Sequence, residues 1–292
     1  MLISNNYPQE LLTALMEMEI RESYVRLELL DWNENFLQEI QGIVTTGSVS
    51  IDGKSSMRRT CNFTMILPDG QDEYELSNII NLNKKFNLYI GYKNNLKAYQ
   101  SYGEILWFKL GVFVFISANF THSTSSTQIS VTARDKMCLL NGQVQGTIPE
   151  AIILHDKELD DGTLQPIPIR EIIYELVHHY GKESISNIFI NGVPDYGRLL
   201  VKYIGTRTMY LQKSGDNYTG EYLFDSPGEW TNYDMKVTND LIGYRKVNFI
   251  YPGELISKVG DSVVSILDNI CNTFGNFEYF YDVDGHFIFQ EK

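Results

Sequence analysis

Between Arg21 and Asp135 apolar residues recur at every second position. The runs Val25-Leu27-Leu29, Val49-Ile51, Cys61-Phe63-Met65, Phe86-Leu88-Ile90, Val112-Val114-Ile116 and Ile129-Val131-Ala133 alternate with polar or outward-facing neighbours. That period is the mark of half-buried strands. The stretches between them are rich in turn formers: Asp31-Trp32-Asn33-Glu34-Asn35, Asp52-Gly53, Pro68-Asp69-Gly70 and the polar run from Thr121 to Thr127;. One segment breaks the rhythm, because Leu76, Ile79, Ile80 and Leu82 behind Ser77 have the spacing of a short helical turn;. Six strands joined by short links predict a sheet that closes on itself or forms a sandwich.

Elsewhere the period lengthens to that of a helix. Pro8 to Ile20 places Leu11, Leu12, Leu15 and Met16 along one side, with Pro8 suited to a first helical turn;. Such a helix either covers the end of a barrel or reaches out as an arm to a partner. Lys136 to Gly142 reads as a short helix stopped by glycine, and the polar stretch from His155 to Gly162 as a loop;. A helix over 168–180 gathers Ile169, Ile172, Ile173, Leu176 and Val177, and Gly181 ends it;. Another helix, with Asp261 as its N-cap, carries Val263, Ile266, Leu267, Ile270 and Phe274 up to Gly275;.

Lys202 to Leu211 and Tyr218 to Phe224 read as strands about a Ser214-Gly215-Asp216-Asn217 turn. The chain closes on a hairpin of Phe277–Tyr281 and Phe287–Phe289 about Asp284-Gly285;. The expected fold is mainly β with an α+β part: a helix or arm over 1–20, a β-barrel domain of tube-forming type over 21–145, and an α+β domain over 146–292.

Composition adds to this in three places. The 19 Tyr and 15 Phe favour strands;. The 24 basic and 37 acidic residues leave a formal charge of −13, which argues against a surface that grips nucleic acid. It is compatible with a conduit that DNA slides through without sticking. Cys61, Cys138 and Cys271 are widely spaced and odd in number, so neither a disulfide framework nor a CxxC metal knuckle is present and a reducing compartment fits best;. The N-terminal residues lack the basic and apolar regions of a secretory signal, and no apolar stretch is long enough to span a bilayer;.

A search for chemistry finds no constellation. His178 and His179 are adjacent, and neighbours on a helix point about 100° apart, so they do not form a metal-binding pair;. Glu171 and Glu175 share a solvated helix face beside basic residues;. GxSxG, P-loop and GxGxxG motifs are absent;. Asp282, Asp284 and Gly285 lack the closing glutamate of a calcium loop and fit a hairpin turn;. The basic and aromatic stretch Lys84-Lys85-Phe86 to Lys93, with Lys97 and Tyr99, has the make-up of a single-strand-binding face, but the alternation of Phe86, Leu88 and Ile90 assigns it to a core;. No catalytic residue, cofactor site or metal site is assigned.

Four stretches carry a resemblance. They are Gly47-Ser48-Val49-Ser50-Ile51-Asp52-Gly53 leading into Arg58-Arg59-Thr60-Cys61-Asn62-Phe63-Thr64-Met65; Leu110-Gly111-Val112-Phe113-Val114-Phe115; Ile129-Ser130-Val131-Thr132-Ala133-Arg134-Asp135-Lys136-Met137; and Gly275-Asn276-Phe277-Glu278-Tyr279-Phe280-Tyr281-Asp282. Together they resemble the hub family of contractile phage tails, which takes in baseplate hub proteins, late control D proteins and the matching part of VgrG spikes.

The resemblance implies a non-enzymatic virion protein made in the host cytoplasm. It would be a homotrimer whose barrels form a ring continuing the tail tube, with the tube protein on one side and a central spike, a lysozyme-type protein or other baseplate proteins on the other. The genome would pass through that ring without specific binding. Such hubs carry a second barrel with no matching pattern before Lys292, so it lies beyond the end of the sequence or the chain is a shorter hub of a different tail type.

Charged groups beside strand ends can fix register between neighbouring subunits, which makes Arg58, Arg59, Arg134 and Lys136 the candidate interface residues;. The alternative is a carbohydrate- or receptor-binding module of a tail tip, with Trp230 in the Pro227–Asn232 loop as the ligand contact, ahead of Trp32 and of Trp107, which reads as core;. A cell-wall hydrolase is the third class, and no residue pattern supports it.

Overall fold

The computed structural model describes residues 7–18, 22–40, 43–66, 84–123, 126–193, 196–214, 217–223 and 233–292, with the backbone alone over 196–248. In chain order its helices are α1 (Gln9–Met16), α2 (Ile169–Glu175) and α3 (Val263–Phe274). The strands are β1 (Ser23–Leu30), β2 (Phe36–Ile40), β3 (Ile43–Ile51), β4 (Arg59–Ile66), β5 (Lys85–Lys93), β6 (Ile105–His122), β7 (Thr127–Asp135), β8 (Ile152–Ile153), β9 (Asp156–Glu158), β10 (Leu164–Pro166), β11 (Ile188–Ile190), β12 (Tyr196–Ser214), β13 (Asn217–Leu223), β14 (Tyr233–Asn248), β15 (Ile256–Ser257), β16 (Phe277–Tyr281) and β17 (Phe287–Glu291). The protein is mainly β, of α+β type, and it divides into two compact units.

The first unit comprises residues 1–151, 174–191 and 258–292. Its centre is a seven-stranded antiparallel sheet in the order β2-β1-β5-β6-β7-β4-β3. All six alternating runs lie in this sheet. It is rolled, and one measurement shows it: the rings of Phe63 on β4 and Phe86 on β5 lie 6.2 Å apart although β6 and β7 run between their strands. Strands ~4.8 Å apart would hold them ~14 Å apart in a flat sheet. The roll buries Leu27, Leu29, Cys61, Phe63, Met65, Phe86, Leu88, Phe113, Phe115, Ile129, Val131 and Ala133 in one core.

Helix α1 is shorter than the 8–20 expected, and Pro8 stands at its N-cap. Leu11 and Leu15 are buried with Leu106, against Tyr92 and Phe108 of β5 and β6. The helix therefore packs on its own unit, as a cover and not as an arm.

The same unit holds the three-stranded sheet β11-β17-β16 and helix α3. Helix α3 buries Val263, Ile266, Leu267 and Ile270, as its periodicity foretold. Its N-cap is Ser262, one residue after the expected Asp261: the Ser262 hydroxyl accepts the Ser265 N–H at 3.1 Å, and Gly275 closes the helix in the left-handed conformation;. The first helical residue of the short 3₁₀ turn Lys136–Leu139 follows Asp135, whose carboxylate accepts the Met137 N–H.

The boundary expected at 145 is drawn differently by the structure. Helix α3 and the terminal hairpin fall in the same compact unit as the rolled sheet, and the hairpin is bonded to that sheet directly. Arg58 on the way into β4 donates to Glu278 at 2.8 Å, and Arg59 donates to the Tyr281 carbonyl at 2.9 Å.

The second unit comprises 152–173 and 192–257. It contains the short pairs β8–β15 and β9–β10 and a long antiparallel ribbon of β12 and β14. β13 pairs with β12 and meets β14 at a single position, Leu223 opposite Tyr244. β14 was not expected from the sequence, and the turn at 215–216, like the segments 68–70 and 76–82, lies outside the described residues. Helix α2 continues into a π-helical turn, Leu176–Tyr180, before Gly181.

Candidate functional site

The densest polar chemistry of the first unit is internal. Lys136 follows β7 and is 0% exposed, and its ammonium contacts the Glu34 carboxylate, Glu183 Oε2 at 2.7 Å and the Gly285 carbonyl at 2.7 Å. Each partner comes from a different part of the chain. Glu34 sits in the β1–β2 turn, Glu183 follows the π turn, and Gly285 is in the β16–β17 turn. Lys85, at the start of β5, donates to Glu34 at 2.7 Å and lies 4.9 Å from the Trp32 ring. Tyr281 is buried with its hydroxyl on Glu183 Oε2 at 3.0 Å.

A charge taken out of water must be paired and fully hydrogen-bonded to be tolerated, and two cations against two carboxylates meet that condition. Burial alone would raise the Glu34 carboxyl, but the ammonium groups of Lys136 and Lys85 overcome it and hold it below its usual value;. Burial, then the like charge of Lys136, holds Lys85 below the usual lysine value. Burial and the adjacent Glu183 carboxylate push the Tyr281 hydroxyl well up, so it stays a donor. Gly285 has φ +84°, and a Cβ there would lie 2.7 Å from Val112 Cγ2. Only glycine brings that carbonyl to Lys136 without strain.

This geometry corrects the assignment of Lys136 and Arg59 to a subunit interface. Both are buried within their own chain. Arg59 donates to the carbonyls of Tyr281 and Asp282 at 2.9 and 3.2 Å. Arg58 is half-buried, paired with Glu278 and stacked 3.4 Å from the Phe280 ring centroid, so it too serves the terminal hairpin. Arg134 donates to Gln143 at 2.7 Å, nine residues along the chain. Trp230 lies outside the described residues.

The other tryptophans are engaged. Trp32 packs beside Val114, Cys138 and Leu139. Trp107, read from the sequence as core, is half-buried, with the Arg26 guanidinium 4.7 Å from its ring. His178 contacts the Glu183 carbonyl at 2.6 Å, and His179 is edge-on to Tyr180.

Among the described residues no group of three His, Cys, Asp or Glu side chains could hold a metal ion, and no helix is long and apolar enough to cross a membrane. A polar cavity of about 450 Å³ lies between the 53–58 turn and α3, lined by Lys54, Ser55, Arg58, Asp268, Asn272 and Lys292. Its central charges are already committed, Arg58 to Glu278 and Asp268 to the Tyr279 hydroxyl at 2.6 Å.

The outer strands of the rolled sheet are different in kind. Among the described residues β2 and β3 each pair on one side only, and Phe36 and Leu37 on β2 and Ile51 at the end of β3 are exposed. A free edge presents a row of unpaired N–H and C=O groups that can template another strand.

The fold and its internal cluster thus define a mainly β, α+β protein built on a rolled antiparallel sheet. No protein-family model matches the chain, and no curated protein matches it. Its structural neighbours are tail and VgrG-related proteins. It is similar to a tail protein from Neisseria meningitidis MC58, with 11% identity and a TM-score of 0.37 over 91% of this chain and 50% of that one. It is similar also to a chain of the lidless PdpA–VgrG complex (9% identity, TM-score 0.43, 93% of this chain and 35% of that one). The half-lidded Francisella PdpA–VgrG complex gives 9% identity and a TM-score of 0.43 over 97% of this chain and 34% of that one. The chain therefore spans half the length of the tail protein and about a third of the PdpA–VgrG chains.

Proposed function

We propose that the chain is a non-enzymatic structural subunit of a phage tail hub, forming a homotrimeric ring that continues the tail tube and joins it to a central spike or tail-tip proteins in the virion. The observation that carries this reading is where the resembling segments fall. Residues 47–51, 59–65, 110–115 and 129–135 lie on β3, β4, β6 and β7, four consecutive strands of the rolled sheet, and residues 277–281 form β16, which Arg58 and Arg59 bond to that sheet. The resemblance therefore describes one contiguous body. Among the described residues β2 and β3 pair on one side only, which supplies edges through which copies can join, and a charge of −13 keeps a DNA conduit from sticking;.

The test is solution mass by multi-angle light scattering over a range of salt, on the full chain alone and mixed with a tail tube protein. A trimer or a ring-sized complex is expected, and Phe36→Asp lowers its mass. A chain that stays monomeric in both samples overturns the proposal.

A further inference from the structure

The inference concerns the buried cluster and is independent of the tail reading. We propose that Lys136 and Glu183 are joined by an intramolecular isopeptide bond that forms without any other protein. The groups such a condensation requires are all present. The nucleophile, Lys136 Nζ, is held 2.7 Å from Glu183 Oε2 in a site where the lysine side chain is 0% and the glutamate 3% exposed. The second carboxylate, Glu34, touches the same nitrogen and can take a proton from it. Glu183 Oε1 receives two donors, the Ser184 N–H at 3.2 Å and Asn187 Nδ2 at 3.2 Å, which is the arrangement that stabilises an oxyanion;. Glu183 Oε2, the leaving oxygen, receives the Tyr281 hydroxyl at 3.0 Å.

The step balances without an oxidant or a co-reactant. Glu34 accepts one proton from the Lys136 ammonium, and the freed lone pair attacks Glu183 Cδ. The negative charge of the tetrahedral species falls on Oε1, facing Ser184 and Asn187. The C–Oε2 bond then breaks as the C–N bond is completed. Oε2 departs as water with two protons that began on the nitrogen, one carried by Glu34, which touches that nitrogen, and one passed directly from Nζ to Oε2 2.7 Å away, while the Tyr281 hydroxyl stays hydrogen-bonded to the departing oxygen. An ammonium and a carboxylate become an amide and a water molecule, with no change of oxidation state.

Two considerations favour the product over the ion pair. Holding the lysine nitrogen against the Glu183 carboxyl group, 2.7 Å from Oε2, replaces the encounter that makes amide formation slow in solution, an advantage on the order of 10⁵ M in effective concentration;. Charge pairing also stays complete afterwards. Before the reaction two cations, Lys85 and Lys136, face two anions, Glu34 and Glu183, and afterwards Lys85 and Glu34 remain as a pair at 2.7 Å. One fully desolvated ion pair, costly to keep out of water, is replaced by a neutral amide.

Intact-mass spectrometry of the purified full chain tests this directly. The expected result is a population lighter than the sequence mass by one water, absent from Lys136→Met. Tryptic digestion should give a branched peptide linking Lys136 to Glu183, with no cleavage after Lys136. In Glu34→Gln, which keeps both reacting groups, the light population should fall severalfold. Wild-type protein at its full sequence mass overturns the proposal. So does a water deficit mapped to a linear peptide at an Asp-Gly step such as Asp284-Gly285, where succinimide formation removes the same mass.

Discussion

Asp135 is expected to cost the protein stability as pH rises through the weakly acidic range;. Its carboxylate is 1% exposed, and its two oxygens accept the Arg59 N–H at 2.9 Å and the Met137 N–H at 3.0 Å. Burial raises its pKa from 3.8 to about 6, against the pull of those two N–H groups and of the Arg59 guanidinium;. Below the lower value the group is protonated in both states and contributes no slope. Between the two values the unfolded chain has released its proton while the folded chain still holds one, so the native state binds more protons and stability falls with pH. Above about 6 both states are ionised and the loss is constant. At about 1.4 kcal/mol per pKa unit, the gap from 3.8 to about 6 makes that loss about 3 kcal/mol;.

Urea unfolding of the wild type and of Asp135→Asn, measured side by side from about pH 4 to about pH 7, isolates this one group, because all other titrations cancel in the difference. The variant is less stable at the acid end, where the protonated Asp135 can still turn an oxygen to each of the Arg59 and Met137 N–H groups while Asn sets its amide NH2, a donor only, against one of them;. Relative to wild type it should then gain about 3 kcal/mol across the range. Parallel curves, with a constant difference at every pH, would refute the argument and mean that the backbone donors outweigh burial at this position.

Three further outcomes follow from the packing. Phe86→Ala should cost about 3–5 kcal/mol in chemical denaturation, since the ring is fully buried against Phe115 at 4.5 Å, Phe113 at 5.6 Å and Phe63 at 6.2 Å. A loss below 1 kcal/mol would mean that the sheet is not rolled about this ring. Gly91→Ala puts a methyl group 2.6 Å from Ile105 Cγ2 and 2.8 Å from the Trp107 ring, at a cost of about 1–3 kcal/mol. The displaced indole should change the tryptophan emission of the native state, read against the unfolded spectra of both proteins. Burial pushes the thiols of Cys61 and Cys138 up to about 12, and both are buried whereas Cys271 is half-buried, so a thiol reagent near neutral pH should label Cys61 and Cys138 only as fast as the chain unfolds, and their immediate labelling in the native protein would contradict that burial.

The legible part of this fold is the part whose side chains alternate between a core and its outside. β1 and β3 to β7 each contain one of the alternating runs, and helix α3 shows its period because one face is packed and the other is not. β2 gives no such signal: its sequence, Phe36-Leu37-Gln38-Glu39-Ile40, sets apolar residues side by side, and Phe36 and Leu37 are exposed on an edge strand. Without a buried face nothing imposes a period of two. The place of the terminal hairpin was hidden for another reason. Its own strands were plain in the sequence, but its attachment to the rolled sheet runs through Arg58, Arg59, Lys109 and Lys136, whose partners lie far away along the chain.

Arg58, Arg59, Arg134 and Lys136 were expected to fix register between neighbouring subunits. Three of them, with Lys109, instead join the terminal hairpin to other elements of the same chain, and Arg134 meets Gln143. Arg58 pairs with Glu278, Arg59 holds the carbonyls of Tyr281 and Asp282, Lys109 meets Asp284 at 3.3 Å and Lys136 takes the carbonyl of Gly285. Moving the hairpin along the sheet by one residue would exchange inward and outward side chains and also strand the buried Lys136 charge.

A sequence clue to this was available at Lys136, which is followed by Met137, Cys138, Leu139 and Leu140, all four buried. On a short 3₁₀ turn, where side chains three apart eclipse, a lysine at the head of such an apolar run has little access to solvent. A cation in that setting must find anions inside the molecule. The acids that answer it, Glu34 and Glu183, carry no mark among the 37 acidic residues of the chain. The need for a buried partner was therefore readable in the sequence, whereas the identity of that partner required the fold.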